Sequence, residues 1–193
     1  MKRMPLILGI AGITLIVLSM GLLLWSQWKI DQAQKQNAAV VANMRDMLPD
    51  GTPGNPAEYV PGEMPVLQLG GVDYVCMLEI PGLGIALPVQ NQWEAEVLRQ
   101  RPCRFWGSVY DGTCILGGSG QRGQFAFCAQ LDLGNILYLT DMQGARFSFR
   151  VAHIQRAQDV RFEKLSHAEY PLTLFMRQEY SSEYIIVRCV LDL

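Results

Sequence analysis

The stretch Pro171-Leu172-Thr173-Leu174-Phe175-Met176-Arg177, with Tyr184-Ile185-Ile186-Val187-Arg188-Cys189 close behind it, decides how the chain is read. Leu172–Met176 and Glu183–Leu191 read as two closing strands, each a short apolar, β-favouring run bounded by turn residues. Arg188 lies four residues after Tyr184, so strand alternation puts both side chains on one face.

The same grammar extends back to about residue 72. Val72–Ile80 is β-rich, and Pro81-Gly82-Leu83-Gly84 is a turn between it and Ile85–Val89. Trp93 to Arg101 is expected to form a short helix. Thr113–Gly117 and Asn135–Thr140 read as strands, and Asp141-Met142-Gln143-Gly144 as a hairpin turn into Ala145–Gln155. There Phe147, Phe149 and Val151 alternate with Arg146, Ser148 and Arg150, the pattern of a strand with one buried and one wet face. Many short strands with few helices suggest a closed or nearly closed β-barrel.

Upstream the character changes. Leu6 to Trp25 is an apolar run broken only by Thr14, Ser19 and glycines, about the length that crosses a hydrocarbon core as a helix. Lys2 and Arg3 precede it, while Trp25 and Trp28 follow, where amphipathic rings favour a membrane interface. A cleaved signal peptide is the rival reading. It calls for a shorter apolar core and a small-residue cleavage site, and none follows Leu24. The expectation is an uncleaved single-pass type II anchor with the C-terminal domain outside the cell, although Lys29 and Lys35 weaken the charge asymmetry. Within Asp31–Leu48, Val40, Val41, Met44, Met47 and Leu48 recur at helical spacing, which suggests an amphipathic helix continuing from the anchor. Proline and glycine then dominate, and residues 49–68 read as a linker or an extended cover strand. The expected organisation is a short tail (1–4), an anchor (5–25), an amphipathic helix (26–48), a linker (49–69) and a barrel (70–193).

The chain has 193 residues, half of them hydrophobic and 18% charged, enough for a sizeable core. A formal net charge of −2, with no long run of like charge, argues against nucleic acid as a partner. Cys76, Cys103, Cys114, Cys128 and Cys189 form no CxxC pair and no zinc spacing with His153 and His167. Their odd number leaves at least one thiol unpaired within the chain, and small buried hydrophobes are the simpler reading than a disulfide framework.

Over about residues 70–193 the order of elements resembles the sortases, cysteine transpeptidases of Gram-positive cell surfaces. Leu78-Glu79-Ile80-Pro81, with Leu87-Pro88-Val89, is similar to that family's opening strands. Ile115-Leu116-Gly117-Gly118-Ser119-Gly120 resembles the segment that brings its catalytic histidine. Leu133-Gly134-Asn135 through Thr140-Asp141-Met142-Gln143-Gly144 is like its Gly-Asp strand and Thr-Asp-x-x-Gly hairpin. Thr173-Leu174-Phe175 matches the start of a Thr-Leu-x-Thr-Cys motif, and Val187-Arg188-Cys189 is similar to class B-like endings. The fold this implies is mainly β: a sortase-like closed β-barrel with short helices, preceded by an N-terminal transmembrane helix.

The resemblance also implies a cysteine nucleophile, a histidine acid–base and an arginine for the oxyanion. At the matching positions stand Arg177 for cysteine, Ser119 for histidine and Tyr184 (Glu183 with a one-residue slip) for arginine. A guanidinium stays protonated and is no nucleophile, and serine is not basic near neutrality. The implied protein is a degenerate member, a pseudoenzyme with no catalytic residue intact and no cofactor. Ser119, Arg177, Tyr184 and Arg188 are then the candidates for a peptide groove, and Arg177 favours an acidic peptide or a C-terminal carboxylate. The expected partner is a peptide or protein at the cell surface: a sorting signal, a pilin-like protein or an active sortase. One alternative is a working transpeptidase with relocated residues. Cys114 and Cys189 on strands, and His153 and His167, read more simply as structural or solvated. Another is an assembly protein acting through its anchor and N-terminal helix.

Two other motifs are set aside. Gly118-Ser119-Gly120 lacks the second glycine of a nucleophile elbow, and the Gly117–Gly123 cluster lacks the lysine of a phosphate loop. Arg99, Arg101 and Arg104 read as a solvated basic group, with an anionic polymer or lipid headgroup as the functional alternative.

Overall fold

The computed structural model describes residues 4–49, 51–59, 62–94, 98, 101–161, 165, 169–179 and 181–192. The chain divides into two units, Met1–Gln36 and Asn37–Leu193. Helix α1 spans Met4–Met47 without a break, so the expected anchor and amphipathic helix are one element. Its described side chains begin at Gly12. From Ile13 to Trp28 the large apolar ones are 56–68% exposed, on every side of the helix. Among the described residues no helix is long and apolar enough to cross a membrane; Leu6 to Ala11, the start of the apolar run, lie outside the described side chains.

In the second unit the strands are β1 (Thr52–Pro53), β2 (Leu67–Leu69), β3 (Val72–Ile80), β4 (Ile85–Gln90) and β5 (Cys103–Trp106). They are followed by β6 (Cys114–Ser119), β7 (Ile136–Asp141), β8 (Ala145–Ala157), β9 (Leu172–Arg177) and β10 (Tyr184–Leu191). The ring runs β8–β10–β9–β6–β5–β4–β3–β7 and closes because β7 pairs with both β3 and β8. The β4–β5 and β6–β9 joins are parallel and the remaining pairings around the ring antiparallel. Closure removes the free edges that an open sheet of this size would present.

The interior is filled from alternate positions. On β8, Phe147, Phe149 and Val151 are buried, while Arg146 and Ser148 are half-buried and Arg150 is exposed. On β9, Leu172, Leu174 and Met176 enter the barrel core. Phe175 faces the other way, into a second apolar cluster with Ile115, Leu165 and Ile186. That double burial is why β9 reads as an unbroken apolar run instead of alternating.

The hairpin turn after β7 has a buried carboxylate at its centre. Asp141 Oδ1 accepts from the backbone N–H of Gln143 (2.8 Å) and Ala145 (2.9 Å), and Oδ2 accepts from the Tyr110 hydroxyl (2.6 Å). Gly144, at φ 88°, supplies the left-handed residue that lets the turn close. Burial pushes the Tyr110 hydroxyl above its ordinary pKa, helped by its hydrogen bond to Asp141.

Of the two readings of residues 49–68, a linker or an extended cover strand, the described residues 52–59 take the second. Thr52 pairs with Ala145, Gly54 N–H donates to the Arg146 carbonyl at 2.7 Å, and Tyr59 stacks on Tyr110 at 4.8 Å. The sequence left the choice open, because one parallel two-residue ladder among prolines leaves no alternation to read. The helix end also docks on the barrel: Val41 and Met44 are buried, and Arg45 pairs with Glu79 at 2.6 Å. Met47, placed on the apolar face by its spacing, is exposed. Of the expected Trp93–Arg101 helix only Trp93, Glu94, Leu98 and Arg101 are described, and the Leu98 N–H donates to the Glu94 carbonyl.

Candidate active site

Strand register sets the site. In the β6–β9 pairing Ser119 stands opposite Arg177, and in the β9–β10 pairing Arg177 stands opposite Tyr184. Neighbouring strands lie about 4.8 Å apart, so these three residues form one row across the outer face of the sheet. The next row is Gly117, Phe175 and Ile186, and the one beyond it Ile115, Thr173 and Arg188. Three of the four expected groove positions are therefore abreast.

A cleft of about 400 Å³ opens over the first row and over Phe175 of the second. Its lining includes Trp93, Leu98, Phe105, Val160 and Leu165, with the exposed Arg177 and Glu179. Trp93 and Phe105 meet edge to face at 4.4 Å, and Phe105 meets Phe175 at 5.4 Å. Gly117 makes room for that floor: a Cβ there would lie 2.7 Å from the Phe175 ring.

The row-one side chains differ in what they do. Ser119 Oγ donates to Gln124 Oε1 at 2.8 Å, and Gly120 N–H donates to the Arg177 carbonyl at 2.9 Å. Ser119 thus ties down the glycine-rich loop. Tyr184 is half-buried against the Phe175 cluster. Arg177 is exposed, and among the described residues no carboxylate lies within ion-pair distance of it.

Arg188 does not line the cleft. It shares a face with Tyr184, as alternation requires, but sits two rows deeper, about 13 Å along the strand. There it is 5% exposed, donating to Gln155 Oε1 at 3.0 Å with His153 Nδ1 3.2 Å away. Its charge is spent bracing β10 on β8. The basic trio is corrected too. Arg104 donates to Asn91 Oδ1 (2.6 Å) and to the Gly107 carbonyl (3.2 Å), so it braces the neighbourhood of β5 and is not a solvated face. Arg99 and His167 lie outside the described residues.

The chain's spatial neighbours in known structures settle its architecture. No family model matches the chain, and no curated protein matches its sequence. Among solved structures, a lid mutant of sortase A from Corynebacterium diphtheriae superposes with a TM-score of 0.55 at 17% identity, covering 62% of this chain and 71% of that one. Sortase C1 of Streptococcus suis gives 0.52 at 20% identity over 62% and 73%. Sortase C2 of pilus island 1 from group B Streptococcus gives 0.56 at 13% identity over 84% and 98%.

The chain has the sortase fold.

On that fold, the strand end expected to carry a thiol carries Arg177. All five cysteines are free and buried at 0–1% exposure, and none lines the cleft. Burial pushes the thiols of Cys103, Cys114 and Cys189 up to about 12, and those of Cys76 and Cys128 well above their ordinary value. They behave as the small core hydrophobes the sequence suggested. Among the described residues no histidine lines the cleft, and no group of three His, Cys, Asp or Glu could hold a metal ion. The groups on offer among the described lining residues are a cation, a carboxylate, a phenol, an occupied hydroxyl, the amides of Gln121 and Gln178, and an aromatic surface. Sequence reasoning missed this apolar lining, since Trp93, Phe105 and Leu165 come from three separate segments with no common pattern.

Proposed function

We propose that this chain is a membrane-anchored, extracytoplasmic sortase-fold protein at a Gram-positive cell surface that binds a peptide segment in its cleft without transpeptidation. The observation that supports it is Arg177 in row with Ser119 and Tyr184, together with five cysteines buried away from that row. A guanidinium cannot form a thioacyl or acyl link, while an aromatic-walled groove still binds, because binding and bond-making draw on different interactions. A sorting-signal peptide, a pilin-like protein or an active sortase is the class of partner that fits.

The anchor part of the proposal is supported by the exposed apolar surface of α1. A helix with large apolar side chains exposed on every side is at home in a lipid environment. The test of orientation is accessibility in cells: a protease added outside removes the barrel of a type II protein and leaves a helical stub in the membrane fraction.

The chemistry is tested by offering sorting-type peptides to the full chain and looking for hydroxylamine-released product, with each cysteine changed to alanine in turn. No product is expected. Product that disappears with a single cysteine change establishes an active transpeptidase and ends the pseudoenzyme reading.

A further inference from the structure

Three features of the cleft remain after its lack of a nucleophile is described. Its walls are apolar, from Trp93, Leu98, Phe105, Val160 and Leu165. The one cationic side chain among its described lining residues is Arg177, exposed and without an ion-pair partner among the described residues. Glu179, also exposed, lines the cleft too. We propose that the cleft captures a peptide chain by its free C-terminus, with the terminal carboxylate on Arg177 and an apolar terminal side chain against Trp93, Phe105 and Phe175. This rests on the reading of the cleft as a binding groove.

The chemistry favours a terminus over an acidic segment. A run of acidic side chains would meet one cation, a second charge of its own sign in Glu179, and walls that give nothing for desolvating a carboxylate. A single carboxylate beside an apolar side chain matches the one cation and the apolar walls, and brings only one negative charge near Glu179. The planar fork of a guanidinium matches the two oxygens of a carboxylate and pairs with it bidentately. Row geometry fixes the spacing: Phe175 lies two residues from Arg177 on the same face of β9, about 7 Å away along the strand. That is the reach from a terminal carboxylate to the far end of a large side chain on the same residue or the one before it. A cleft of about 400 Å³ has the size of a small-ligand site, suited to one or two residues rather than to a folded surface. Carboxylate-terminus capture is an established mode of peptide recognition, but here it is carried by a side-chain cation instead of a backbone nest.

The test uses the full chain in detergent micelles. It is mixed with acetylated hexapeptides, randomised over Ala, Ser, Leu and Phe, whose last residue is Leu, Ile, Phe or Met. Each is supplied in equal amount as free acid and as carboxamide, and a third set is amidated with an internal Glu. Retained peptides are counted by mass spectrometry. Free acids are expected to be enriched about ten- to hundredfold over carboxamides, the range for a charge-assisted contact. Arg177→Gln should erase that preference at an unchanged thermal midpoint, and Trp93→Ala should weaken both classes alike. Equal retention of acids and carboxamides, unaltered by Arg177→Gln, overturns the carboxylate contact. If Trp93→Ala still lowers that retention, the groove reading survives. Internal-Glu carboxamides held as tightly as free acids overturn the terminal specificity. Retention of no peptide overturns both.

Discussion

Thiol reactivity is the measurement that separates this protein's fold from the chemistry such a barrel can host. The perturbation is iodoacetamide at pH 8 on the full chain in detergent, followed cysteine by cysteine with mass spectrometry, against the same chain in guanidinium chloride. A thiol titrating near 9 is about one-tenth ionised at pH 8, whereas one pushed up to about 12 is ionised about one part in ten thousand. Only the thiolate reacts, so ionisation alone slows Cys103, Cys114 and Cys189 about a thousandfold. Their 0% exposure slows them further, since the reagent must await an opening of the barrel. Cys76 and Cys128, at 0% and 1%, belong with them. All five should therefore be labelled at least about a thousandfold more slowly in the native chain. A single cysteine labelled within about tenfold of its denatured rate refutes the reasoning, because such a thiol is reachable and ionisable and so a candidate nucleophile.

Four further outcomes follow from the same packing. The thiol pKa values are raised on folding, so their stability contribution is intact below about pH 9 and is lost as pH rises towards 12; alkaline unfolding should shift to higher pH in Cys114→Ala with Cys189→Ala, and an unmoved midpoint argues against it. Asp141→Ala leaves the Tyr110 hydroxyl and the N–H groups of Gln143 and Ala145 without their acceptor. Denaturant titration should show a loss of about 3–5 kcal/mol at unchanged m-value, at roughly 1–3 kcal/mol for each stranded donor with partial relaxation. Gly117→Ala sets a Cβ 2.7 Å from the Phe175 ring; about 1–3 kcal/mol of overpacking strain and a reshaped cleft are expected, read by thermal melting and by weakened peptide retention. Glu79→Gln removes the carboxylate that holds Arg45 and Arg146 at 2.6 and 3.1 Å. Because Arg45 is exposed and Arg146 half-exposed, solvent screening should keep the cost to about 1 kcal/mol, while amide exchange over residues 37–47 quickens.

Much of the barrel was legible because its strands obey local rules. Val72–Ile80 is bounded by a Pro-Gly turn, and the Phe147–Val151 alternation needs no partner to be seen; both strands appear where those signals put them. β1, β2 and β5 left weaker traces. The first two hide among prolines, and β5 carries Arg104 where an apolar residue would have announced a strand. The groove was half legible. Motif order brought Ser119, Arg177 and Tyr184 together, but parity alone could not tell that Arg188, on the correct face, belongs two rows away.

The amino-acid sequence by itself determined the period of each strand, the turns between them and the chemical identity of the residue at the end of β9, a guanidinium and no thiol. Tertiary structure decided what that guanidinium stands beside. A strand's period assigns each side chain to a face, and only ring closure fixes register and sets Ser119, Arg177 and Tyr184 abreast beneath an aromatic wall from remote segments. Burial of the five thiols is likewise a property of the closed barrel, since it is the surrounding core, not the neighbouring residues in sequence, that excludes water from them.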